Sequence, residues 1–355
     1  MIGTGAFTSL GFQLKDLNNP SVVLTLWVLG GILALSGAFS YAEVGTVISK
    51  SGGEYAFLSK IYNPLIGYLS GWISLTVGFA APIAFSEYFP FGNFNVKWMS
   101  IALVAVITLI HTRSLKLSAE FQNISTLLKV ILIVIIISIG LVLPEHSGNE
   151  IVSSKGYFTE LTSTAFAIAL IYVSYSYSGW NAAAYITEEF ENPLKSLPKA
   201  LIGGTVLVTV LYTLLQYVFL KHVPVNDLAG QLNVGTIATK QMLGEKAGSF
   251  FGLAISLLLI SGISAMVWVG PRVTLSIAKE HRLWSYFQTQ ENGIPKRALW
   301  LQFGISALLL LTGTFEQIMI YCGILLTASS LMTVLGVFKL RKQNQNQQIK
   351  GFKSP

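Results

Sequence analysis

Nine stretches of this chain stay apolar for long enough to cross a bilayer, and that pattern leaves a water-soluble globule no place to hide them. A helix rises 1.5 Å per residue, so roughly 20 apolar residues cover the ~30 Å of a hydrocarbon core. The stretches lie at about 22–48, 64–86, 98–112, 124–143, 161–187, 200–220, 247–271, 298–315 and 317–338. Glu43 interrupts the first, Lys129 the fourth, and 98–112 is the shortest. Residues 1–14 are also apolar but too short to span, and they lack the basic flank of a signal peptide. They read as the outer half of a helix. Charged residues make up only 11% of the 355, against about a quarter in soluble domains, which agrees with a lipid-facing exterior.

Orientation follows from where the positive charge falls. With the 18–20 loop outside, sixteen Lys and Arg side chains lie in the inward connections and six in the outward ones, with Lys129 left in the membrane. The C-terminus is therefore expected in the cytoplasm of a multi-pass cell-membrane protein, and 343–355 reads as a basic, disordered tail. The net charge of +7 sits between apolar runs rather than on a solvated face, which argues against a nucleic-acid partner. His111, His146, His222 and His281 are scattered, and the single Cys322 lies in an apolar run, so no metal site or catalytic dyad is expected. No phosphate-cradling glycine loop is present. The chain reads as a non-enzyme with no cofactor, no catalytic residue and no partner subunit.

Counting the fragment, ten helices divide five and five around the 144–160 loop. An odd number per half forces the halves, 1–143 and 144–342, into opposite orientations, the arrangement of many secondary transporters. In that arrangement the first helix of each half is broken at the bilayer midplane. Both carry a suitable interruption: Gly3-Thr4-Gly5 in the first, and 174–180, Ser-Tyr-Ser-Tyr-Ser-Gly-Trp, in the sixth. Gly3 to Gly5 is read equally well as a packing motif of small residues. If it starts a helix, its N–H groups and positive dipole end suit a carboxylate. The outer half of the sixth helix then ends nearby with carbonyls of Tyr175, Ser176 and Ser178, which suit an ammonium group. A zwitterion matches both ends.

MIGTGAF resembles the first-helix signature of the amino acid-polyamine-organocation transporters, and SYSGWNAAAYITEEFENPLKSLPKAL resembles their sixth helix and following loop. Ser51-Gly52-Gly53-Glu54-Tyr55 and Gly270-Pro271-Arg272 extend the likeness over the chain. The resemblance implies an all-α membrane protein with the LeuT-type 5+5 inverted repeat. Thr4 and Gly5, following Gly3, and Tyr175, Ser176 and Ser178 match the substrate-backbone positions, and Tyr175 matches the aromatic gate. Ser178 narrows the pocket towards small neutral L-amino acids. Against the family pattern, the first helix is expected to be truncated and helices eleven and twelve absent.

Lys129 is read equally as a snorkelling side chain or as a functional charge. The resemblance favours function: some members place a fifth-helix lysine where sodium-coupled relatives bind sodium. A coupling role is therefore expected for Lys129, as a proton carrier or a fixed cation, with Ser264 as its hydrogen-bond partner. Asn181 is expected to bridge exposed backbone at the break. Glu188, Glu189 and Glu191 read first as ordinary loop acids; a gating role would pair Glu188 or Glu189 with Arg272 or Lys199, and Glu43 would join the same network. The function expected is secondary-active amino acid transport by alternating access, proton coupling included. The alternatives are an amino acid/polyamine exchanger and a membrane protein that binds amino acids without moving them.

Overall fold

The computed structural model describes residues 2–3, 5–76, 95–113, 115–149, 151, 156–288, 294–312, 315–343 and 351–355. Among these, every regular element is helical. The elements are α1 (Gly5–Gln13), α2 (Pro20–Ile48), α3 (Glu54–Ile61), α4 (Pro64–Thr76), α5 (Val96–His111), α6 (Leu115–Val142), α7 (Tyr157–Leu161), α8 (Thr164–Tyr177), α9 (Pro193–His222), α10 (Val225–Leu228), α11 (Val234–Leu243), α12 (Glu245–Glu280), α13 (Lys296–Thr312) and α14 (Phe315–Gln343). Two 3-10 segments, Trp180–Glu189 and Arg282–Gln288, follow α8 and α12.

Local signals fix several starts. Asn19 caps α2 by accepting from the Ser21 N–H, with Pro20 in the first turn; Ser163 caps α8 by accepting from the Phe166 N–H. Among the described residues, five helical stretches are long and apolar enough to cross a membrane: Pro20–Ile48, Gln122–Val142, Pro193–His222, Glu245–Glu280 and Gly323–Gln343. Their outward faces carry large bare apolar side chains such as Ile32, Leu33, Val206 and Leu257, which a lipid surround accepts and water does not. Packing between the elements follows a regular rule: α1 lies on α8, α2 on α9, α4 on α12 and α5 on α13. In addition α6 packs on α9 and α12, while α14 packs on α2 and α4.

The expected span at 161–187 is divided, because the α-helix stops at Tyr177. The span at 64–86 is described only as far as Thr76. The connections at 50–60 and 221–246 hold short helices, α3 in the first and α10 and α11 in the second, that apolar run length cannot reveal. The tail departs from expectation as well. Residues 344–350 lie outside the described ones, but Phe352 stacks on Phe39 at 6.3 Å, and the Ser354 N–H donates to Glu43 Oε2 at 2.8 Å. An apolar ring and a buried carboxylate on α2 anchor what composition alone marks as disordered.

Candidate functional site at two helix breaks

The break after α8 is a backbone feature. Ser178 leaves the helix with φ −55° and ψ 154°, and Gly179 turns the chain through φ 86°, a left-handed conformation that glycine adopts without penalty. The Ser178 N–H returns to the Tyr175 carbonyl at 2.9 Å, so that carbonyl, expected to be open, keeps only one lone pair. The chain resumes as the 3-10 segment, itself non-helical at Ile186.

The start of α1 lies against the last turn of α8. Helix α1 begins at Gly5, directly after Gly3 and Thr4; Thr4 lies outside the described residues. A Cβ added to Gly5 would stand 2.6 Å from Ser176 Cα, so the two backbones meet where only glycine fits. Ser9 Oγ bridges the seam, 2.7 Å from the Gly5 carbonyl and 2.8 Å from Ser176 Oγ. Gln216 donates to the Ala6 carbonyl at 2.9 Å. Tyr175 is buried beside this seam, with Gly323 of α14 approaching its Cβ.

Lys129 is buried and its Nζ donates to the Ile2 carbonyl at 2.8 Å. Gly262 of α12 closes the third side: a Cβ there would lie 3.9 Å from that Nζ and 3.8 Å from Gly3 Cα. Ser264 is not the partner. It sits 2.8 Å from His111 Nε2, because two residues along a helix turn the side chain about 200°, away from Lys129 and towards α5.

Below the seam is a cavity of about 90 Å³ lined by Ser178, Gly179, Asn181 and Tyr185 from the break, Ser74 from α4, and apolar side chains of α12 and α14 such as Met266, Val269 and Leu326. Asn181 does not bridge backbone. Its Nδ2 donates to Glu54 Oε1, where the Tyr41 hydroxyl also donates at 2.7 Å, while the Tyr185 hydroxyl donates to Oε2. Glu54 is completely buried. The pattern Ser51 to Tyr55 drew attention as a motif, but nothing local says that its carboxylate turns inward.

On the side of the cavity towards Arg272, that side chain pairs with Glu189 at 2.5 Å, donates to the Trp268 carbonyl at 2.7 Å and lies over the Trp268 ring at 5.3 Å. Glu188 is held differently, by its backbone N–H donating to Ser51 Oγ. Glu43 belongs to another cluster: both its oxygens accept from Arg341 of α14. Near the far end of α1, Lys15 pairs with Glu316 at 3.0 Å, Tyr172 donates to the same carboxylate at 3.0 Å, and Phe12 stacks on Tyr172 at 5.7 Å. This cluster was not among the expected residues. Tyr172 lies one turn before Tyr175, and Glu316 is the acid separating two apolar runs; both were signals available in the sequence.

The family profile described as amino acid permease matches residues 1–355. The chain belongs to the amino acid permease family. It is 35% identical to the human b(0,+)-type amino acid transporter 1 over 241 residues, 64% of this chain and 50% of that one. It is 26% identical to the serine/threonine exchanger SteT of Bacillus subtilis over 367 residues, covering 98% of this chain and 81% of that one. Against the mouse Asc-type amino acid transporter 1 it is 26% identical over 364 residues, 96% of this chain and 68% of that one. The permease chain thus spans about half the length of the b(0,+)-type relatives. Family and apolar helices together make it a multi-pass membrane protein.

Proposed function

We propose that this permease moves small neutral L-amino acids across the cell membrane by alternating access, with its C-terminal end in the cytoplasm. The observation that carries the reading is the seam where Gly5 meets Ser176. There the N-terminus of α1 lies beside the C-terminal turn of α8, so a carboxylate and an ammonium group on one carbon find dipole ends of matching sign. The roles of Gly3, Thr4, Gly5, Tyr175, Ser176 and Ser178 as substrate contacts follow from that reading.

Size supports a small substrate. One water-sized body needs about 10–15 Å³ of such space, so the 90 Å³ cavity holds on the order of six to nine heavy atoms. Four helices of the first half, α1, α2, α4 and α5, each pack on the helix that an inverted repeat would make its counterpart, α8, α9, α12 and α13, while α6 packs on α9 and α12 instead. That order is compatible with two inverted five-helix repeats. The clusters at Arg272 and at Lys15 are formed together, which fits an occluded state with Glu189–Arg272 as inner gate.

Lys129, bonded to the Ile2 carbonyl, acts in this reading as a fixed or exchangeable cation that holds the stretch leading into α1. Exchange of one amino acid for another is the second reading, favoured by similarity over 98% of the chain to a protein named an exchanger. The test is uptake of labelled amino acids into proteoliposomes holding the purified chain, with and without internal amino acid and at two pH gradients. Saturable uptake of small neutral L-amino acids is the expected result; acceleration by internal substrate assigns exchange. Ligand binding without any uptake overturns transport in favour of a non-transporting binder.

A further inference from the structure

We propose that Glu54 fixes the hydrogen-bond polarity of the cavity wall and, through Asn181, makes the permease favour amino acids whose side chain carries a hydroxyl. The proposal rests on the transport reading and deepens it. Glu54 is a positioning residue: it lines nothing itself, but two of its three hydrogen-bond donors, Asn181 and Tyr185, do.

The argument is one of hydrogen-bond inventory. A carboxylate whose two oxygens receive three donors acts only as an acceptor, whereas an amide has one donor end and one acceptor end. Glu54 takes the donor end of Asn181, so Oδ1 must point elsewhere, and the space beside Asn181 is the cavity. Reversing the amide would set oxygen against oxygen and leave two buried groups unsatisfied. Tyr185 obeys the same logic. Its single O–H is committed to Glu54, so Ser74 Oγ, 3.2 Å from the Tyr185 oxygen and also at the cavity, must donate to it. Asn181 therefore presents an oxygen lone pair at the wall, while Met266, Val269 and Leu326 make other parts of the lining apolar.

Such a wall selects. A serine or threonine hydroxyl donates to Asn181 Oδ1 and rests its carbon atoms on the apolar side. Alanine fits the space but leaves the acceptor without a partner, and an acidic side chain sets acceptor against acceptor. A site built to receive a hydroxyl discriminates against the analogue lacking it more sharply than volume alone allows.

The experiment uses the full chain in proteoliposomes and reads Vmax/KM for serine and for alanine. Wild type is expected to favour serine by about fivefold, the value of one net hydrogen bond. Glu54→Leu removes both acceptor oxygens, so the Asn181 amide is no longer held, and the serine-to-alanine ratio falls towards one. Asn181→Ala removes the acceptor while Tyr41 and Tyr185 still satisfy Glu54, and it brings the same ratio; the double variant goes no lower. Equal serine and alanine uptake by wild type, or a wild-type ratio in folded Asn181→Ala, overturns the proposal. Absence of uptake for both amino acids in wild type is failure of the transport reading instead. In that case thermal stabilisation of the same chain by serine over alanine, lost in Asn181→Ala, still decides the polarity proposal.

Discussion

The two sides of the candidate site are built on opposite plans. The seam between α1 and α8 is backbone against backbone, with Gly5 on Ser176 and no room for one further carbon. The cavity wall near it is side chain against side chain, with Asn181, Tyr41 and Tyr185 joined on the buried carboxylate of Glu54, and Asn181 and Tyr185 lining the open space. The groups that recognise what every amino acid shares are best held by a rigid seam, because backbone dipoles lose their value once misaligned by an ångström. The groups that distinguish one side chain from another are better carried on replaceable side chains. The difference predicts where substitution is fatal and where it only retunes.

The hardest test of the rigid side is Gly5→Ala. The added carbon meets Ser176 Cα and Oγ, both at 2.6 Å, and a backbone atom cannot rotate aside. Overpacking of this kind costs about 3 kcal/mol, the upper end of its usual range. Thermal unfolding in detergent should show the loss, and uptake should fall below detection. Gly203→Ala is the matched control: nothing lies within 4 Å of that position, so stability is unchanged or slightly raised by the better helix former. If both variants behave alike, the seam is not the constraint.

Next in size is Lys129→Gln. The amide keeps a donor for the Ile2 carbonyl but gives up the charge, and a charge-assisted bond exceeds a neutral one by about 1–2 kcal/mol. If that bond holds the entry to α1 in its transporting position, uptake drops roughly tenfold at equal protein in the membrane. Its pH dependence should flatten too if the ammonium exchanges a proton. Undiminished, pH-dependent uptake by Lys129→Gln and Lys129→Ala removes the residue from the mechanism.

How legible these parts were depends on how local their signals are. Gly3-Thr4-Gly5 and the serine-rich 174–180 stretch break helical patterning within a few residues, so the interruption after Tyr177 could be anticipated. Lys129 stood out because its neighbours are all apolar. Its partner did not: choosing between Ser264 and a backbone carbonyl requires knowing which way α12 is rotated, and His111, which claims Ser264, is distant in sequence. Glu54 was hidden for the same reason. It stands in a loop of small and polar residues where an acid is unremarkable, and only the packing of α2 and the 3-10 segment buries it. Glu43 was visible as an isolated acid, yet its pairing with Arg341 rather than Arg272 depends on α14 lying along α2.

The adjustable side is probed at its mouth by Glu189→Gln. Arg272 is mostly buried, but Glu189 is 45% exposed, so the pair is worth about 1 kcal/mol at most. Removing it should shift the balance of closed and open inner mouths by up to roughly fivefold. A cysteine placed at Ala265, which lines the cavity, in a chain with Cys322 replaced by Ala, reports this as faster labelling from the cytoplasmic side. Labelling unchanged by Glu189→Gln means the ion pair decorates the mouth without closing it.

The smallest effect is expected at the opposite end, from Lys15→Gln. Its side chain is 40% exposed and that of Glu316 36%, so solvent screens the attraction and much of its value is spent on ordering two flexible side chains. The Phe12–Tyr172 stack and the Tyr172 bond to Glu316 remain when Lys15 loses its charge, and in the proposed reading they are what closes the outer end. Uptake by Lys15→Gln should therefore stay within twofold of wild type, and raising the salt concentration should erase even that difference. Tyr172→Leu removes the stacked ring and the hydroxyl together, so it should open the outer end more than Lys15→Gln does, read as faster labelling of the Ala265 cysteine from outside. The reverse order would make the ion pair, and not the aromatic cover, the part that shuts this end.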